Sequence, residues 1–64
     1  MESDRAQLSA LATSLDDLTR RIAEVAGRHR ASPREDIASG LDEVERSLIT
    51  AGRRLEKVMR AMRS

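Results

Sequence analysis

The sequence predicts an all-α fold: an antiparallel two-helix hairpin with coiled-coil-like heptads that dimerises into a four-helix bundle. Three observations carry this prediction. Two apolar runs keep heptad spacing without a break, one helix-start signal lies between them, and charge alternates in blocks that neutralise each other when the chain folds back. Composition points the same way. The 64 residues include no Phe, Trp, Tyr or Cys, with 39% hydrophobic and 36% charged side chains, so the apolar inventory is aliphatic residues and alanine, which suits helices better than sheets.

Helix 1 is expected over about 4–29. Leu8, Leu11, Leu15, Leu18, Ile22 and Val25 follow one another at intervals of three and four. With Leu8 at heptad position a, Leu15 and Ile22 also fall at a, and Leu11, Leu18 and Val25 fall at d, forming one apolar seam. A turn is expected at about 30–32. Ser32 is then the N-cap, its hydroxyl accepting from the backbone N–H of Glu35 while the Glu35 carboxylate reaches back to the N–H of Ser32. Pro33 takes the first helical position, where a missing N–H costs nothing. Helix 2 is expected over about 33–62, with Ile37, Leu41, Val44, Leu48, Ala51, Leu55, Val58 and Met62 again spaced by four and three. So short a turn makes the two helices antiparallel neighbours within one helical-hairpin domain.

Antiparallel packing of a against d requires facing residue numbers to add to a constant. A constant of 66 pairs Val25 with Leu41, Ile22 with Val44, Leu18 with Leu48, Leu15 with Ala51, Leu11 with Leu55 and Leu8 with Val58. The alternative of 59 suits a helix 1 that stops at Gly27, but it sets Asp4 against Leu55. Charge supports the hairpin independently. Residues 1–19 carry four acids and one base for a net −3, and residues 20–34 five bases and one acid for +4. Residues 35–46 come to −4 and residues 47–64 to +4, within an overall charge of +1. Folding at Pro33 sets opposite blocks side by side, which favours this orientation over parallel association.

A single core below about 70 to 80 residues seldom stabilises itself without disulfides, metal or oligomerisation. With no Cys and His29 as the only His, neither a disulfide nor a metal centre is expected. Oligomerisation remains. Flanking heptad positions suggest where it occurs: small and apolar residues gather on the e side and just beyond it, so Ala12, Ala23, Ala26, Ala38, Ile49, Gly52 and Met59 are expected to form the oligomer interface of a homodimer. Gly52 within a helix costs up to about 1 kcal/mol relative to Ala, which close approach of another backbone would offset.

Chemistry finds little to stand on. Asp16, Asp17, Asp42, Glu43 and Glu45 fall mainly at outward positions, where solvent prevents the retuning that acid–base catalysis needs. No enzyme activity and no cofactor are expected. His29 is expected to cover the last core layer or cap helix-end carbonyls. Two basic clusters are candidate anion or nucleic-acid contacts: Arg28, Arg30 and Arg34 around the turn, and Arg53, Arg54, Lys57 and Arg60 along helix 2. A solvated face paired with nearby acids is the competing reading.

The expected function is therefore a non-enzymatic protein–protein interaction module, a self-associating hairpin serving as adaptor or regulatory subunit with a protein partner. The alternative is a nucleic-acid-binding or transcription-associated dimer. The first twenty residues lack an unbroken apolar run, so neither a leader nor a membrane span is expected and the chain reads as cytoplasmic. Eleven of its twelve basic residues are Arg, a bias expected of a GC-rich bacterial genome.

Overall fold

A computed structural model describes residues 2–63 as two helices, α1 (Glu2–Arg30) and α2 (Glu35–Arg63), of 29 residues each. They pack against each other as an antiparallel hairpin with principal extents of 48 × 15 × 10 Å. No strand occurs among the described residues.

Both helices have ends that suit their dipoles. Glu2 and Asp4 lie in the first turn of α1 and Arg28, His29 and Arg30 in its last; Glu35 and Asp36 open α2, and Arg60 and Arg63 close it. α1 passes through Gly27 without adopting a positive φ. The turn is built differently from the expected capping box. The Ser32 N–H and hydroxyl both donate to the His29 carbonyl, at 3.2 and 2.9 Å, and the hydroxyl accepts from the Arg34 N–H at 3.2 Å. The first helical bond of α2 runs from the Ala38 N–H to the Arg34 carbonyl at 3.3 Å. Arg34 therefore stands at the N-cap and α2 starts two residues later than Pro33. The start moves because the Ser32 hydroxyl accepts from the Arg34 N–H and not from that of Glu35; the same hydroxyl, by donating to His29, closes α1 and leads into α2.

The helices meet through a seam rolled by one heptad step from the expected a/d pairing. In α1 the less exposed residues include Arg5, Leu8, Ala12, Leu15, Thr19, Ile22 and Ala26; in α2 they include Ala38, Leu41, Glu45, Leu48, Gly52, Leu55 and Met59. These are positions a and e. Register agrees, since a Cβ at Gly52 would lie 3.7 Å from Leu15 Cδ2, and Arg5 Nη2 donates to the Met62 carbonyl at 2.8 Å. Facing numbers thus add to 67 rather than 66, which sets a against e. Small side chains explain the roll: Ala12, Ala26, Ala38 and Gly52 let the helices approach closely on the e side, and bulky d residues would hold them apart. Thr19 fits this seam because its hydroxyl donates to the Leu15 carbonyl at 2.8 Å, leaving no unpaired donor facing apolar neighbours.

Only Ala26 and Ala38 are fully buried among the described residues, and no large side chain is. Leu8, Leu15, Ile22, Val25, Ile37, Leu41, Leu48 and Leu55 are half-buried, while Leu11, Leu18, Val44 and Val58, expected in the hairpin core, stand exposed. Two helices enclose only the strip directly between them, so these four d residues, a quarter-turn away from the seam and distant from the turn that shelters Val25 and Ile37, stay open to solvent.

The Gly52 contact makes a direct prediction. A methyl group there meets Leu15 at ordinary van der Waals distance, so Gly52→Ala should gain helix propensity without strain and stabilise the fold by about 0.5–1 kcal/mol. Urea denaturation should show a higher midpoint, and a lower one would mean that the Leu15–Gly52 contact tolerates no added atom.

Candidate interaction surface

In an antiparallel pair the d positions of both helices fall on one broad face and the b positions on the other. The d face carries Leu11 at 57% exposure, Val58 at 52%, Leu18 at 48% and Val44 at 44%, with exposed Ala51 at the d position between Val44 and Val58. Half-buried Val25 continues the row toward the turn. This is a stripe of aliphatic side chains along most of the hairpin, in contrast to single apolar residues scattered over a surface. The g positions bordering it are mostly small or polar: Ser14, Gly40, Ser47 and Ala61, together with Gln7, Arg21, Arg28 and Arg54.

The b face differs in character. Ile49, at 40%, is its one large exposed apolar residue among those described. Charges of both signs surround it, with Asp42, Glu45 and Arg46 beside Ile49 along α2, and Asp16, Arg53 and Glu56 around the shallow groove over Gly52. Arg30 and Asp42 join the two helices on this side through a 2.7 Å hydrogen-bonded ion pair.

Within one hairpin the residues expected at the oligomer interface fall into two groups. Ala26 and Ala38 are enclosed within the hairpin, Gly52 faces Leu15, and Ala12 and Met59 are half-buried at e positions. These residues contribute to the contact between α1 and α2, while Ala23 and Ile49 border them on the b side, Ile49 sharing with Ala12 and Gly52 the groove between the helices. Heptad spacing centres the seam between a and d, whereas the contact within one hairpin lies between a and e. The signal for the a/e contact was present in residue size: e positions are small enough to be enclosed by a thin hairpin, and d positions are not.

The basic clusters are dispersed. Around the turn, Arg30 pairs with Asp42, while Arg34 pairs with Asp36 through Nε and Nη2, both at 3.3 Å. Arg28, Arg53, Arg54, Lys57 and Arg60 are exposed, and Arg60 approaches Glu56 at 3.8 Å. Arg20 and Arg21 both reach Asp17, at 3.4 and 3.0 Å. Exposed pairs of this kind contribute little each, so their effect is on orientation more than stability. His29 is half-buried at the end of α1, and it is its own carbonyl that receives the Ser32 cap.

Among the described residues no group of three or more His, Cys, Asp or Glu gathers as a metal site would, and no helix is long and apolar enough to cross a membrane. Comparison with known protein families, curated proteins and solved structures gives no match.

The turn offers a pH-dependent reporter of its own geometry. The Arg34 guanidinium holds the Asp36 carboxyl below its usual value, helped by the Ile37 and Asp36 backbone N–H groups and the charge of His29. A depressed folded-state value means that this stabilisation is present above the ordinary carboxylate range near 3.9 and lost as pH falls through the folded value. An NMR titration should find the Asp36 midpoint below that range in the intact chain and shifted upward in Arg34→Ala. An unshifted midpoint in both would contradict the Arg34–Asp36 pairing.

Proposed function

We propose that this chain is a non-enzymatic protein–protein interaction module, a small self-associating helical hairpin that serves as an adaptor or regulatory subunit. The exposed aliphatic stripe on the d face carries the reading. Leu and Val left half in water along a helix pair contribute stability only when another surface covers them, each by up to about 1.5–3 kcal/mol for full burial. The partner-facing surface that remains is the b face, with its charges around Ile49. Self-association supplies the core that a hairpin with two buried residues among those described lacks.

A second reading rests on Arg53, Arg54 and Lys57, which are exposed and take part in no ion pair among the described residues. It makes the module a nucleic-acid-binding dimer that tracks phosphates along the outside of α2. Phosphate contacts are strongest at low salt. The first reading expects no binding of a generic duplex or RNA hairpin at about 50 mM salt, and saturable, salt-sensitive binding would favour the second.

Light scattering at tens of micromolar tests self-association. The expected mass is twice the 7.1 kDa of the chain. Leu18→Asp should return it to the single-chain value. Ile49→Asp on the opposite face and Lys57→Glu on the outer surface should leave the oligomer intact. A fully helical monomer for the unaltered chain would overturn the proposal.

A further inference from the structure

We propose that the d-face stripe is covered by a second copy of this chain, placed so that α1 of each copy lies antiparallel along α2 of the other, with the two-fold axis running parallel to the helices. This rests on the self-association reading above and gives it a geometry.

Area favours a second copy. A compact monomer of 7.1 kDa would expose about 4,100 Å² by the usual scaling of surface with mass. The hairpin exposes 4972 Å². The excess is roughly 900 Å², close to the approximately 800 Å² that each partner loses in a standard stable interface. A flat face with extents of 48 × 15 Å offers that area only to something equally long and flat, which describes another hairpin.

Charge also favours it. The net −3 of residues 1–19 would lie along the +4 of residues 47–64 of the partner, and the +4 of residues 20–34 along the −4 of residues 35–46. The blocks that match within one hairpin match equally between two, because each α1 then has an antiparallel α2 on both its inner and its open side. These sums run over whole helices; the charges directly bordering the d face are Arg21, Arg28 and Arg54, so the blocks orient approaching copies at long range and the packing of d residues holds them.

Heptad geometry completes the arrangement. Within the hairpin each helix contacts its neighbour through a and e, and the exposed side is centred on d, about a quarter-turn away. A helix in a four-helix bundle touches two neighbours about that far apart, with a and d pointing at the centre between them. The a/d seam of the sequence is thus the axis of a bundle of which the hairpin is half.

Side-chain size separates the two possible stackings. An axis parallel to the helices leaves heights unchanged, so Leu18 meets Ala51 of the partner and Leu11 meets Val58 of the partner, large against smaller. An axis across the helices would set α1 on α1 and α2 on α2, bringing Leu18 near its own copy and leaving Ala51 beside Ala51. Alternating large and small residues across an interface fills it; like on like leaves a gap at one end and crowding at the other.

Cysteine cross-linking tests this directly. Leu18→Cys and Ala51→Cys chains, labelled by different masses, are prepared separately, then mixed and oxidised mildly. The expected result is a mixed disulfide dimer as the main product, with little cross-linking of either variant alone. Leu11→Cys mixed with Val58→Cys provides a second pair should the first fail to stay helical. Self-cross-linking of Ala51→Cys or Leu18→Cys alone would overturn the geometry while leaving self-association standing. A dimer in which neither mixed pair cross-links would do the same, and a helical monomer would overturn both.

Discussion

Two helices can turn only one strip of surface toward each other, and everything particular about this hairpin follows from how narrow that strip is. The chain carries an apolar band spanning positions a, d and e on both helices. A pair encloses a and e; d is left over. The enclosed e residues include small ones, with Ala26 and Ala38 the only buried residues among those described, and Gly52 presents backbone to Leu15 across the seam. Close approach of this kind gives a well-registered hairpin with a thin core. The registered part organises the leftover part, because fixing the roll of each helix lines up Leu11 and Leu18 with Val44 and Val58 on one face.

Polar groups serve register more than binding. Arg5 closes the open end of the hairpin by donating to the Met62 carbonyl, and Arg30 bridges to Asp42 near the turn. Between them the seam is apolar apart from half-buried Glu45 and Thr19, whose hydroxyl is satisfied within its own helix. Ser32 ties the end of α1 to the start of α2 using one hydroxyl as both donor and acceptor. With its two ends and its turn tied in this way, the hairpin can leave one long face uncommitted.

The fold class, the place of the turn and the antiparallel sense were legible in heptad spacing, in Ser32–Pro33 and in the charge blocks, because each of these depends on neighbours in sequence. The roll of the seam was not. Whether position d or position e accompanies a depends on how many helices surround each one, and that is a property of the assembly. Leu11, Leu18, Val44 and Val58 follow the same heptad rule as Leu8 and Leu15, so their spacing places them in a core without saying which core. The turn illustrates the same limit on a smaller scale. Ser32, Pro33 and Glu35 have the spacing of a capping box, yet the Ser32 hydroxyl, oriented by donating to the His29 carbonyl, accepts from Arg34 in place of Glu35, an outcome set by how α1 ends.

Under the proposed self-association, part of this chain's stability resides between copies. A fold that gains from association becomes harder to unfold as its concentration rises, by mass action. Urea denaturation followed by helical circular dichroism over a hundredfold range of chain concentration measures this directly. The account predicts a midpoint that climbs steadily with concentration. A midpoint that stays constant across the range, with full helicity at the lowest concentration, would contradict it and place the whole stability of the fold inside one hairpin.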